Sequence, residues 1–414
     1  MKDAGEDVQV NSQNGPAPRV LVFSMLFPGP ADAQSGAFIR QRMFRVARHL
    51  PLVVVAPRPW MPGQGLIRLF RPHYRPPAPA FEIQDGIEVH RPRFLSIPGL
   101  LKRWDSLFMA LGSYLTVRRL QRRLGCNLID AHFGWPDGHA ATWLGRWLGL
   151  PVSITLRGSE LVHTRTPAKA RRLGQAMQRA TRVFAVSREL CDLAIRLGAD
   201  AAKASVVGNA VDSERFRPEP RAEARARYGL AAEDGPVLVS VGWLVEGKGF
   251  HRVIACLPEL LQRHPNLSLL VVGGPSPSEN MEPRLRAQVA ELGLEARVRF
   301  LGALPQTELR WALSAADVFV LSTRREGWAN VLLEAMACGL PVVTTRVGGN
   351  PEVVCRDELG ELVPFDDPAA LRDAITRSLE REWDRAAIRA HAVANSWDSR
   401  VAVLCEHFSA MVRP

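Results

Sequence analysis

Short apolar, β-branched runs alternate with stretches of helical periodicity along nearly the whole chain. Arg19–Ser24 (RVLVFS) predicts a buried strand, a loop runs on to Gly36, and the apolar spacing over Ala37–Leu50 predicts a helix. Leu52–Val55, a weaker Ile87–His90, Leu128–Ala131, Val152–Leu156, Arg182–Val186 and Ala204–Val207 continue the series. The pattern restarts at Val237–Val241 and repeats through Leu267–Val272, Val298–Leu301, Val318–Leu321 and Val342–Thr344. Repeated strand–helix–strand units predict α/β architecture with doubly wound parallel sheets, whose ligands collect at the strand carboxyl ends. Two consecutive series predict two Rossmann-like domains, over residues 19–217 and 218–395, with the polar Pro218–Asp234 as their connection. Ser396–Ser399 (SWDS) reads as the cap of a last helix to about Val412. Its stripe of Val401, Leu404, Phe408 and Met411 gives residues 396–414 an apolar face, and Trp397 reads as core.

The first 18 residues are polar, rich in Gly, Asn and Pro, and lack the basic and apolar regions of a signal peptide, so a disordered tail is expected. No run of about 18 apolar residues predicts a membrane-spanning helix. Six scattered cysteines without paired Cys/His spacing predict reduced thiols in a cytoplasmic protein and no structural zinc.

Charge is divided unevenly. Residues 1–210 carry 29 Lys and Arg against 14 Asp and Glu, whereas residues 211–414 carry 24 against 28. Only the first half therefore suits an anionic partner. Its basic residues concentrate in Gln64–Arg75 and Ile97–Leu124, interleaved with Leu, Phe, Trp104 and Tyr114. Such a face fits the inner surface of an anionic membrane, or simply a helix covered by solvated arginines. Nucleic acid is not expected, because the aromatics are not spaced as a stacking platform.

The densest candidate chemistry lies between Glu326 and Gly349. A loop, a largely apolar helix near Asn330, a Gly339–Leu340–Pro341 turn and a strand follow one another, interrupted by Glu326 and, eight positions on, Glu334. The first N–H groups of a helix attract phosphate, and ionised carboxylates accept from sugar hydroxyls. A diphosphate at the helix start with hydroxyls to either side describes a nucleotide sugar. A solvated Glu326 and a locally hydrogen-bonded Glu334 fit the spacing as well.

The whole string decides more. It resembles the Glu-x7-Glu motif of the retaining glycosyltransferases of family four, including the Gly-Pro and Gly-Gly positions. The resemblance spans residues 19–412 and implies the GT-B fold: two Rossmann-like domains facing a cleft, with the last helix crossing back to the first. It implies that Glu326 contacts the transferred sugar and Glu334 the ribose, with Gly327, Trp328, Ala329, Asn330 and Val331 forming the donor loop and helix tip. Lys248, set between glycines before a helix, is similar to the lysine of the family's Arg-x4-Lys diphosphate clamp; Trp243 stands near the arginine's position, so Arg157, Arg325 or the helix N–H groups must substitute. The chain has 5 lysines among 53 basic residues, which makes Lys248 unlike incidental surface charge.

Other strand ends carry further candidates. Gly36 resembles the family's glycine loop facing the cleft, though a plain turn accounts for it equally. His132, preceded by Asp130, resembles the strand-end histidine beside donor sugar and acceptor, and a structural histidine remains the alternative. Asp137 reads as the cap of the following helix. Arg157 stands where relatives often have His; it is a plausible anion ligand, or a salt-bridge partner for Glu160. Asn209 and Asp212 resemble the family's Asn-Gly-Val-Asp, with Ala210 replacing the glycine. Gly302 belongs to a loop similar to those approaching the nucleoside.

The resemblance thus implies transfer of a sugar from a nucleoside diphosphate sugar to a lipid-linked or saccharide acceptor, with no cofactor and no metal, by an enzyme of the cytoplasm or the inner membrane face. A nucleotide-sugar epimerase of the same architecture and a non-catalytic basic membrane- or nucleic-acid-binding protein are the alternatives.

Overall fold

A computed structural model describes residues 16–30, 35–71, 74–231, 234–276 and 279–413. Residues 1–15 of the expected tail lie outside them. Among the described residues, ten strands fall in the first half: β1 (Val20–Phe23), β2 (Leu52–Val55), β3 (Arg58–Trp60), β4 (Phe81–Gln84), β5 (Ile87–His90), β6 (Arg93–Leu95), β7 (Leu128–His132), β8 (Val152–Leu156), β9 (Arg182–Ala185) and β10 (Ala204–Val206). Eight of them form one sheet in the order β10-β9-β8-β7-β1-β2-β5-β4, parallel except for β4. β1, VLVF, is buried at all four positions because helices cover both faces, which is why its sequence shows no alternation. β3 and β6 pair separately.

The second half contributes β11 (Val237–Val241), β12 (Ser268–Val272), β13 (Val298–Gly302), β14 (Val318–Leu321), β15 (Val342–Thr345) and β16 (Gly360–Val363). They form a parallel sheet ordered β13-β12-β11-β14-β15-β16. The two sheets are the cores of two Rossmann-like lobes. The helix Trp397–Val412 returns to the first lobe, where Val401, Leu404, Phe408 and Met411 join Val20, Val22 and Ile39 in one apolar cluster. Trp397 is buried as expected, but Ser396 makes no capping bond; its carbonyl accepts from Ser399 Oγ instead.

Pro218–Asp234 is more than a connection. Arg221–Arg227 within it form a helix, and the buried Arg225 pairs with Asp317 at 2.9 Å, which fixes that helix to the second lobe. Among the described residues no helix is long and apolar enough to cross a membrane, and the six cysteines are free thiols.

Candidate active site between the lobes

In the second lobe the chain leaves β14 and crosses the carboxyl edge of the sheet before entering the helix Asn330–Ala337. Leu332, Leu333, Ala335 and Met336 bury the inner face of that helix. No side chain caps it, so its first N–H groups are available to an anion. Two glycines permit the neighbouring loops to close on this one. A Cβ at Gly348, where φ is 53°, would lie 1.7 Å from the Glu326 carbonyl oxygen, and one at Gly249, where φ is 77°, 1.8 Å from that of Ser322. The result is that Lys248 Nζ and Glu326 Oε1 meet at 2.5 Å. A cavity of about 310 Å³ opens in front of the pair; Lys248, Arg324, Arg325 and Glu326 line it from the second lobe and Arg157 and Gly158 from the first.

Glu334 sits one turn into the helix, partly buried. Among the described residues its carboxyl has no hydrogen bond or ion pair. Burial raises its pKa to about 7, against the opposing pull of Arg215. A half-buried carboxyl without a protein partner is free to accept from a hydroxyl.

The first lobe meets this loop with a hydrogen-bonded chain. His132 ends β7 and is fully buried. Arg157, just beyond β8, donates from Nη2 to His132 Nδ1 at 3.1 Å and from Nη1 to Asn209 Oδ1 at 3.1 Å. Asn209 Nδ2 then donates to Asn330 Oδ1 at 2.9 Å, carrying the chain onto the helix tip. Burial, reinforced by Arg157 and Arg42, holds the His132 pKa well below 6.5, so the ring is neutral. The bond from Arg157 assigns the acceptor to Nδ1 and the proton to Nε2, which lies 3.4 Å from Asp130 Oδ2. Burial raises the Asp130 pKa to about 6 although Ser153 Oγ donates to it at 2.7 Å. The backbones are also in direct contact. A Cβ on Gly327 would lie 2.1 Å from the Arg157 carbonyl oxygen. Trp328 packs against the apolar clusters of both lobes.

The sequence profile of the Glycosyltransferase Family 4 domain matches residues 27–215, and that of the glycosyl transferases group 1 matches residues 222–394. A D-inositol 3-phosphate glycosyltransferase of Corynebacterium urealyticum is 32% identical over 80% of this chain and 82% of its own. The chain is a group 1 glycosyltransferase. A second relative of the same name, from Acidothermus cellulolyticus, is 34% identical over 66% of this chain, and the chain spans about two thirds of its length, 65%. Among solved structures, Anabaena HepE in complex with UDP superposes with a TM-score of 0.71 at 20% identity, covering 95% of this chain and 100% of that one.

In this glycosyltransferase Lys248, Glu326, Gly327 and Arg157 converge on one cavity, with Asn330 and Asn209 joined just behind it. Ala329 is the buried N-cap of the helix Asn330–Ala337 and Val331 its second residue. His132 and Asp130 stand behind Arg157 and do not line the cavity. Gly302 lies at the exposed end of β13, away from it. Gly36 is explained by packing: at φ 69°, a Cβ would fall 2.2 Å from the Leu26 carbonyl oxygen. Trp243 is 45% exposed and does not line the cavity, whereas Arg157, Arg324 and Arg325 do.

Two local expectations are corrected. Asp137 caps nothing; its carboxylate accepts from the Met25 N–H and ties the loop after β1 to the one after β7. Glu160 forms no ion pair with the Arg157 guanidinium. It is buried and accepts from the backbone N–H groups of Gly134, Arg157 and Gly158, which is how the strand-end loop keeps its shape. Sequence reading missed Arg324, although the adjacent Arg-Arg-Glu was visible, and Arg42, a fully buried guanidinium whose Nη2 donates to Val207 O.

Proposed function

We propose that this enzyme moves a glycosyl group from a nucleoside diphosphate sugar to a lipid-linked or saccharide acceptor with retention of anomeric configuration. The observation that carries the reading is the Lys248–Glu326 pair in front of an uncapped helix, with the unpartnered Glu334 carboxyl one turn behind. The diphosphate would lie between Lys248 and the helix N–H groups, aided by Arg324 and Arg325. Releasing Lys248 to the phosphates frees Glu326 to accept from the sugar hydroxyls, while Glu334 accepts from the ribose. HepE forms a complex with UDP, and a nucleotide of this class suits the two acids here.

In the reaction, the bond from the anomeric carbon to the diphosphate breaks. A bond to the acceptor oxygen forms on the same face, and the acceptor proton passes to the departing phosphate. Lys248 and the fixed N–H groups meet the charge developing there. That leaves no step needing a resident cofactor. His132 acts through Arg157, holding the guanidinium at the cavity wall. The acceptor belongs to the first lobe, whose basic surface faces an anionic membrane on the cytoplasmic side.

A thermal-shift screen with UDP, GDP and ADP tests the reading, because a ligand that binds only the folded state raises its stability. One nucleotide should raise the melting temperature in the parent chain and much less in K248A. If none does, the donor assignment is wrong.

A further inference from the structure

A second cavity, of about 330 Å³, lies in the first lobe between β3, β6 and the helix Gln64–Phe70. Arg58, Arg68, Arg75, Arg91 and Arg93 line it, and no lining residue is acidic. Arg91 is 4% exposed; its Nη2 donates to Pro28 O at 2.8 Å and to Glu82 Oε1 at 2.6 Å, while its Nη1 is buried without a partner. Arg58 and Arg93 are register partners across the β3–β6 pair. Like charges set opposite one another on paired strands destabilise the pair. Arg68 and Arg75 donate to the carbonyls of Tyr74, Arg75 and Ser96, which fixes their position without neutralising them. A dry, half-satisfied guanidinium inside a cluster of this sign is a built anion site, and the planar forks match phosphate.

The rim identifies what carries the phosphate. The helix that supplies Arg68 to the cavity leaves Leu66, Leu69 and Phe70 exposed, at 67%, 74% and 87%. Ser96, which accepts from Arg75, also accepts from Lys102 Nζ at 2.9 Å, in the turn where Leu100 and Trp104 are exposed. Arginines at headgroup level with aliphatic and aromatic side chains projecting beyond them are the arrangement of an interfacial segment on an anionic bilayer. A soluble phosphate compound would have no use for the apolar rim. A smaller cavity shares Arg58 and Arg91 with the first and reaches Met25 and Phe27 just beyond β1, on the carboxyl side of the sheet.

We propose that the arginine cavity holds the phosphate of a membrane lipid whose hydrocarbon lies against Leu66, Leu69 and Phe70. The lipid site stands on its own geometry, independently of the glycosyl-transfer reading.

Sedimentation with three kinds of vesicle tests it: phosphatidylcholine, phosphatidylcholine with phosphatidic acid, and phosphatidylcholine with phosphatidylglycerol at matched surface charge. The parent chain should favour phosphatidic acid, and inorganic pyrophosphate should compete. R58E/R93E should lose about tenfold or more of that binding, and R58K/R93K should restore most of it. L69S/F70S should lose vesicle binding yet keep its stabilisation by inorganic pyrophosphate. Equal binding of the two anionic vesicles, or no effect of R58E/R93E, would overturn the site. Nucleotide-dependent stabilisation, followed in the same variants, reports separately on the donor cavity.

Discussion

The Asn209 amide, in the first lobe, donates to Asn330 Oδ1 at 2.9 Å while its own oxygen receives Arg157 Nη1 at 3.1 Å. One side chain thereby ties the first lobe's cationic wall to the tip of the helix Asn330–Ala337. N209A removes both bonds, each worth about 1 kcal/mol net. The expected outcome is a several-fold rise in KM for the donor with each lobe's secondary structure intact, checked by steady-state kinetics and circular dichroism.

Lys248 and Glu326 form an ion pair, and the proposed reaction asks each for a different group of the donor. K248A and E326Q should each lower kcat/KM by on the order of a hundredfold. Because they share one contact, the double variant should lose less than the product of the two, with a coupling of about 0.5–3 kcal/mol. Strict additivity in a full double-mutant cycle would show that the pair is not a working unit.

If Glu334 accepts from the ribose as proposed, donor binding should depend on pH. Its folded-state pKa is raised from 4.5 to about 7, so between those values the folded chain holds a proton that the unfolded chain has lost. Stability therefore falls as pH rises through this window, and E334Q should abolish that part of the slope. Ribose hydroxyls need the ionised form, so affinity for the intact sugar nucleotide should improve about tenfold between pH 6 and 8. Calorimetric titration of the parent chain and E334Q checks this. The sugar nucleotide suits the measurement because its two phosphates do not titrate there.

Gly327 sits where the lobes touch, and a methyl group there would come 2.1 Å from the Arg157 carbonyl oxygen. G327A should hold the lobes apart at little cost to either core. We expect a larger radius of gyration in solution scattering and at least a tenfold fall in kcat/KM.

The alternation of apolar runs with helical spacing exposed nearly every strand buried on both faces: Val152–Leu156, Val237–Val241 and Val318–Leu321 stand as predicted. What it could not show were β3, β4, β6 and β16, whose short sequences RPW, FEIQ, RFL and GELV mix polar and apolar residues at sheet edges. The arginine cavity lies between two of them, β3 and β6, and was legible only as a basic stretch. Arg42 and Arg225 were invisible for another reason: periodicity assigns arginine to the wet face, and only the partners brought by the fold, Val207 O and Asp317, account for burial. Between Glu326 and Glu334 the candidate residues were readable because they belong to one loop and helix. The link from His132 through Arg157 and Asn209 to Asn330 joins four distant segments, so no spacing could announce it.

The helix Trp397–Val412 has a consequence for how the molecule is made. It fills the hydrophobic interior of the lobe synthesised first, yet it leaves the ribosome only after the other lobe is complete. Until then the nascent first lobe keeps an apolar seam around Ile39 and Phe184 open to water, a surface for chaperones to cover. The second lobe has all its strands before the older lobe can close, so the two mature in the reverse of their order of birth.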